Sequence, residues 1–197
     1  MININDIKNP AFLKDLSLKE KKELATQIRE TIYNKVSKDG GHLSSNLGVV
    51  ELTIALHTVF NCPEDKILFD VSHQSYTHKI LTGRVQQFNS SLRAFKGLSG
   101  YQKHSESVYD PYDSGHSSTS ISHAEGLAIT RDLNRENYQI IAVIGDGALS
   151  NGLAFEALNN LSELNSKIIV VINDNDMSIS KPVGGLGKMM SSIRKSI

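Results

Sequence analysis

An apolar run that ends in Gly-Asp-Gly is the feature of this sequence that most constrains its fold. Residues 140–144 are all apolar, and Gly-Asp-Gly follows them directly at residues 145–147. A helical pattern of apolar residues comes next, at residues 151–164, and a second, mostly apolar run occupies residues 167–172. This order of strand, turn, helix and strand predicts two neighbouring parallel strands whose carboxyl ends lie at one edge of a sheet.

Asp146 and Asn175 are the residues that this arrangement places at the sheet edge. Mg²⁺ prefers oxygen ligands and usually takes one or two from protein carboxylates, with phosphates and water completing its shell. The glycines beside Asp146 would allow positive φ and close approach of a phosphate, and the start of a helix favours an anion. An Asp that caps an ordinary turn is the alternative interpretation of Gly-Asp-Gly alone. The distant Asn175 favours a metal-bound diphosphate.

The rest of the sequence predicts one α/β domain over residues 1–197. Ser17 and Glu20 have the spacing of a capping box, and Asp-Gly-Gly at residues 39–41 ends the helix that they begin. Residues 86–114 read as a long irregular segment, which suits a loop that covers a site. The predicted helices cover residues 17–38, 48–60, 119–133 and 151–164, and the predicted strands cover residues 66–71, 140–144 and 167–172. We therefore predict a doubly wound, mostly parallel sheet with helices on both faces.

Charge and composition exclude several classes of function. The chain has 21 basic and 21 acidic residues, so no net charge attracts a polyanion, and we expect no nucleic-acid partner. Cys62 is the single cysteine, which excludes an intramolecular disulfide and suits a reducing compartment. The first residues lack the basic and apolar regions of a secretion signal, and no apolar run reaches about 20 residues. We expect a cytoplasmic protein without a membrane span.

Four strings in the sequence, taken together, resemble one family of thiamine-diphosphate enzymes. They are GGHLSSNLGVVEL at residues 40–52, DVSHQ at 70–74 followed by HKILTGR at 78–84, GHSSTSIS at 115–122, and GDGAL at 145–149 with NDN at 173–175 and MSIS at 177–180. In this order they resemble the N-terminal, diphosphate-binding domain of the 1-deoxy-D-xylulose-5-phosphate synthase family, relatives of transketolase. The first and third strings look like this family rather than transketolase itself.

The resemblance implies an activity, two cofactors and a set of site residues. The family is a group of transferases that join pyruvate to D-glyceraldehyde 3-phosphate with loss of CO₂, for isoprenoid, thiamine and pyridoxal biosynthesis, using thiamine diphosphate and Mg²⁺. By the resemblance, His42 and His73 would face the reacting carbons. The metal ligands would be Asp146, Asn175 and the backbone carbonyl of Met177, and the residues lining the cofactor would be His73, Gly115, His116, Ser117, Asp146, Gly147, Ala148 and Asn175.

The sequence departs from the family at two places. Ser72 stands where the family usually has Gly, so the turn that presents His73 is expected to differ, and residues 181–185 vary a loop near the cofactor. Neither departure removes a ligand.

Family members are also much longer, and a pyrimidine-binding domain supplies the glutamate that activates the cofactor. We expect that domain to be absent from these 197 residues, whose last predicted helix, 188–197, has no end signal. The chain is then a fragment or one subunit of a split enzyme, inactive alone. A non-catalytic thiamine-diphosphate-binding module and a split transketolase subunit are the alternatives.

Further expectations concern the remaining histidines and the surface. We expect His57 to be packed and hydrogen-bonded, His78 not to contact substrate, and His104 and His123 to be solvated. The helices at residues 48–60 and 151–164 carry more apolar surface than one domain needs, including Leu153, Phe155 and Leu158. We therefore expect a homodimer or a higher assembly.

Overall fold

The computed structural model of the chain describes residues 2–174, Gly185 and Ser192. The expectations for Asn175, for Met177 and for most of residues 181–197 lie outside the described residues. Among the described residues, no helix is both long and apolar enough for a membrane span. The strands are β1 (Lys66–Phe69), β2 (Ile140–Gly145) and β3 (Ile169–Asn173), and the α-helices are α1 (Leu18–Asp39), α2 (Leu43–Leu47), α3 (Val50–Val59), α4 (Tyr76–Lys79), α5 (Val85–Ser91), α6 (Ser120–Leu133), α7 (Asp146–Leu149) and α8 (Gly152–Leu161).

The three strands form a parallel sheet in the order β1-β2-β3. Alternate side chains point to opposite faces, as the strand period requires. On one face Leu68 and Ala142 pack with α6 and α8, and on the other Phe69 and Val143 pack with Leu56 of α3. The predicted α/β fold, with a parallel sheet and helices on both faces, is confirmed.

The predicted elements form close to their predicted bounds, with two exceptions. The capping box of Ser17 and Glu20 is present, and α1 ends before Gly40, whose φ is 79°. The predicted helix 48–60 is instead the shorter α3, preceded by the separate α2, and it is not buried all round because Val59 is 67% exposed. The segment 86–114 is not wholly irregular, because α5 covers its start and Phe88 anchors that helix in the core.

A buried polar network holds the long segment between α5 and α6. The carboxylate of Asp110 is fully buried and accepts hydrogen bonds from Arg84 (2.6 and 3.0 Å), His78 Nε2 (2.8 Å) and the backbone N–H of Lys103 (3.0 Å). Burial alone would raise the pKa of Asp110, but the hydrogen bonds from His78 and Arg84 hold it well below its usual range. The ionised carboxylate therefore fixes the segment to α4 and to the turn that follows it.

His57 and His78 extend this network into the protein interior. His78 must donate to the Asp110 carboxylate, so its Nδ1 accepts from Nε2 of His57 at 2.9 Å. Both histidines are buried, and burial lowers the pKa of each. The expected packed and hydrogen-bonded role of His57 is confirmed.

We predict that Asp110→Asn lowers the free energy of unfolding by roughly 3–5 kcal/mol, because it leaves the buried guanidinium of Arg84 without its carboxylate. Chemical denaturation at pH 7 measures this change, and Asp15→Asn, at an exposed carboxylate, is the matched control.

The same network predicts the direction of the pH dependence. Because the pKa of Asp110 is lower in the folded state, its stabilisation is complete above the ordinary aspartate pKa of about 4 and is lost as the pH falls toward the folded value. Asp110→Asn should remove this part of the acid sensitivity. An Asp110→Asn protein as stable as the control would contradict the assignment.

Candidate active site

The carboxyl ends of the three strands lie at one edge of the sheet. Asp70 follows β1, Asp146 follows β2 and Asp174 follows β3. Gly145 is in register with Asn173, which places Asp146 and Asp174 at the same edge. The chain thus reaches the predicted edge one residue before Asn175, which lies outside the described part.

Asp146 begins α7 directly after β2 and is half-buried. Within the described residues its carboxylate forms no hydrogen bond or ion pair, so its oxygens remain available for a cation. Gly145 does not use the positive φ that a glycine allows: its φ is −78°, because the strand passes straight into a helical turn. Gly147 is exposed, and nothing lies within 4 Å of where its Cβ would be.

The loop that carries Gly115, His116 and Ser117 is attached at both sides of the strand edge. The buried carboxylate of Asp70 accepts the backbone N–H of Ser118 at 2.7 Å and that of Ser120 at 3.1 Å. The Ser118 hydroxyl donates to the carbonyl of Ala148 at 2.7 Å and accepts from the Asn151 amide at 2.7 Å. These contacts place the loop beside the turn that Asp146 begins.

The tip of this loop is open to solvent. Gly115 has a φ of 145°, a conformation that side chains with a Cβ rarely adopt. His116 and Ser117 are exposed, and no atom lies within 4 Å of the Cβ position of Gly115. The loop therefore has free space on the side where an anionic ligand could approach its backbone.

His42 and His73 form a second part of the site. Their ring centroids are 5.1 Å apart with an interplanar angle of 71°, and the ring of Tyr101 lies 6.2 Å from that of His42. The buried side-chain amide of Asn46 donates to the carbonyls of His42 (2.6 Å) and His73 (2.8 Å) and accepts the backbone N–H of Tyr76 (2.9 Å). One side chain thus holds both histidine-bearing segments together.

Burial keeps both imidazoles neutral at neutral pH. Burial lowers the pKa of His42, with a smaller effect from the charge of Arg93. Burial also lowers the pKa of His73, with a smaller effect from His42. The Nδ1 atom of each ring is buried without a hydrogen-bond partner in the described part of the chain. Neutral rings with an unused nitrogen can accept a proton or a hydrogen bond from a ligand.

The structure brings some of the predicted site residues together and adds three further residues to the candidate site. The loop of Gly115, His116 and Ser117 lies against Ala148, and His42 lies against His73. No cluster of three or more His, Cys, Asp or Glu side chains suited to a metal occurs among the described residues. His104 and His123 are exposed, as expected. The sequence analysis missed Asp70, Asn46 and Ser118, which are buried and polar. Their position within the motif strings was the signal that could have found them.

Comparison with known proteins identifies the family of the chain. The sequence profile of the 1-deoxy-D-xylulose-5-phosphate synthase family matches residues 4–197. Similar proteins named 1-deoxy-D-xylulose-5-phosphate synthase include those of Alkaliphilus oremlandii, 58% identical over 98% of this chain, Dehalococcoides mccartyi, 55% identical over 97%, and Clostridium acetobutylicum, 54% identical over 98%. The chain spans about 30% of the length of each of these relatives. The chain therefore belongs to the 1-deoxy-D-xylulose-5-phosphate synthase family and corresponds to one part of these longer relatives.

Proposed function

We propose that this chain forms the diphosphate- and Mg²⁺-binding part of a transferase that joins pyruvate to D-glyceraldehyde 3-phosphate, releasing CO₂ and giving 1-deoxy-D-xylulose 5-phosphate. The observation that carries the proposal is the carboxylate of Asp146 at the strand edge, which has no partner among the described residues and lies beside the anchored loop of Gly115, His116 and Ser117. Family membership gives the class of reaction. The geometry supports the division of roles among the residues.

The described residues fit a metal-bound diphosphate. A site made of protein ligands alone would need several carboxylates together, and none is found in residues 2–174. A Mg²⁺ ion that uses phosphate oxygens and water needs only one or two protein carboxylates. We assign this role to Asp146, with Asn175 and the Met177 carbonyl as further ligands by the family resemblance. Gly147, Ala148 and the loop from Gly115 would line the diphosphate.

The histidine pair has a separate role in this proposal. When bound, thiamine diphosphate supplies a carbon nucleophile that protein side chains lack. His42 and His73, neutral and with unpaired nitrogens, would hold or move a proton at a substrate oxygen. Asn46 fixes the carbonyls of both residues, so it would set the direction from which the two rings reach the substrate.

The exposed apolar side chains of α8 bear on the assembly of the protein. Leu153 and Phe155 on α8 are 46% and 53% exposed, close in sequence to the Asp146 turn, and Leu158 is half-buried. Exposed apolar side chains near a site often mark an interface. We infer that this helix contacts the pyrimidine-binding domain expected from the family or a second subunit, in a homodimer or higher assembly. The single cysteine and balanced charge favour the cytoplasm.

A non-catalytic thiamine-diphosphate-binding module remains the second candidate. Binding without turnover requires only groups for the diphosphate, such as the loop of Gly115 beside Ala148. Turnover by the full-length protein separates the two candidates.

We predict that Mg²⁺ and thiamine diphosphate bind together and that Asp146→Ala weakens both by at least about tenfold, which corresponds to 1.4 kcal/mol. Calorimetry on the full-length protein, with and without Mg²⁺, measures this effect. Glu30→Ala, which removes a similar charge from an exposed position of α1, is the control. Metal-independent binding that Asp146→Ala does not change would refute the proposed site.

We predict that residues 1–197 alone do not turn over pyruvate with D-glyceraldehyde 3-phosphate, because the family's activating glutamate belongs to the pyrimidine-binding domain. The measurement is release of CO₂ from labelled pyruvate, first with the 197-residue chain and then with the remainder of the full-length protein added. Activity should appear only in the second case. Clear turnover by the 197-residue chain would show that another group activates the cofactor.

We predict that Asn46→Ala disturbs both histidines at once. It removes three hydrogen bonds, each worth about 1 kcal/mol net, and we expect ring signals of both His42 and His73 to shift in ¹H–¹³C spectra. A fall in kcat of roughly tenfold or more should accompany the shifts, which corresponds to about 1.4 kcal/mol in the barrier. Asn34→Ala, at an exposed asparagine of α1, should change neither. Unshifted signals in folded Asn46→Ala protein would contradict this role.

A further inference from the structure

Ser72 has a backbone conformation that its side chain makes costly. Its φ is 61°, and that of the preceding Val71 is 56°. For a residue with a Cβ, the left-handed region costs about 1–2 kcal/mol. By the family resemblance a glycine usually occupies this position and would avoid the cost. The contacts of the serine hydroxyl therefore need to offset this cost.

The hydroxyl of Ser72 is the centre of a buried hydrogen-bond chain. It accepts the backbone N–H of Gln102 at 2.6 Å and is hydrogen-bonded to the hydroxyl of Ser114. Ser114 Oγ donates to the carbonyl of Val71 at 3.1 Å. Because the Ser114 proton is used there, the proton between the two hydroxyls comes from Ser72. Each hydroxyl thus donates once, and the direction of the chain is fixed.

The residues at the end of this chain are themselves attached to the sheet. The side-chain carbonyl of Gln102 accepts the backbone N–H of Phe69 at 2.8 Å, and its amide donates to the carbonyl of Ile67 at 3.0 Å. Gln102 and Ser72 are both buried. The hydroxyl chain is therefore anchored to β1.

The two serines precede the two parts of the proposed site. Ser72 is followed by His73, and Ser114 is followed by Gly115 of the diphosphate-binding loop. We propose that Ser72 is a positioning residue that couples the His73 turn to the Gly115 loop, so that the proton-transfer group and the cofactor-binding backbone keep a fixed relation. This inference rests on the proposed function for its consequence in catalysis. The coupling itself rests on the hydrogen bonds.

A glycine at position 72 would keep the turn but break the coupling. Ser72→Gly relieves the strain at residue 72, yet it leaves the buried Gln102 N–H without its acceptor and Ser114 without its donor. The expected result is a folded protein with a looser Gly115 loop. Ser114→Ala breaks the bond between the two hydroxyls while Ser72 stays in place, and it also removes the hydrogen bond to the carbonyl of Val71.

The test is a double-mutant cycle of Ser72→Gly and Ser114→Ala in the full-length protein, with Ser105→Gly as the control at an exposed serine of the same segment. Amide hydrogen exchange of residues 115–118 is measured without cofactor, and thiamine diphosphate affinity is measured with Mg²⁺. Each single variant should raise the exchange severalfold and weaken thiamine diphosphate binding severalfold. The double variant should show clearly less than the sum of the two single effects, because both substitutions remove the same bond between the two hydroxyls and each removes only one further bond.

The outcomes separate this inference from the proposed function. Unchanged exchange in both single variants, or effects that simply add in the double variant, would overturn the coupling. Wild-type protein that fails to bind thiamine diphosphate with Mg²⁺ would overturn the proposed function, while the exchange measurement would still decide the coupling. Because Ser114→Ala keeps the serine at position 72, it decides the question even if Ser72→Gly does not fold.

Discussion

The carboxylate of Asp70 is the group on which the arrangement of the site depends. It is buried at the end of β1 and accepts two backbone N–H groups from the start of α6. A buried carboxylate is costly unless its lone pairs are filled, so the chain can stop the strand here only if another segment supplies donors. The loop before α6 supplies them, and this brings the predicted diphosphate-binding backbone to the strand edge.

Buried polar groups also hold the segment between α5 and α6, which has little secondary structure. Leu98 and Tyr112 are its buried apolar anchors, and Asp110 is fully buried between them along the chain. Ordering such a segment costs about 1–2 kcal/mol of backbone entropy per residue. Charged hydrogen bonds to Asp110 and Glu106 offset part of that cost. The polar network thus takes the role that helix or strand hydrogen bonds take elsewhere.

Sequence patterns predicted most of the elements close to their bounds and placed Asp146 at the sheet edge. Local signals predicted the capping box at Ser17 and Glu20, the three strands, and the edge position of Asp146, because each depends on residues near in sequence. The contacts of Asp70 and Asn46 were not predicted, because their partners stand 48 and 27 residues away. An isolated Asp or Asn gives no sign of which distant backbone groups it will meet. The φ of Ser72 was unpredictable for the same reason, since its hydroxyl is satisfied by Gln102 and Ser114.

Several buried polar groups near the candidate site have no hydrogen-bond partner among the described residues. Nδ1 of His42 and of His73, like the hydroxyl of Tyr76, is buried and unpaired within the described part of the chain. Each such group costs about 1–3 kcal/mol compared with a satisfied one. A fold tolerates that cost where the surrounding structure fixes the geometry, and Asn46 does so here by holding the backbone on both sides. In the proposed function, a substrate or cofactor that hydrogen-bonds to these nitrogens would regain this energy, and its binding would thereby stabilise the folded state.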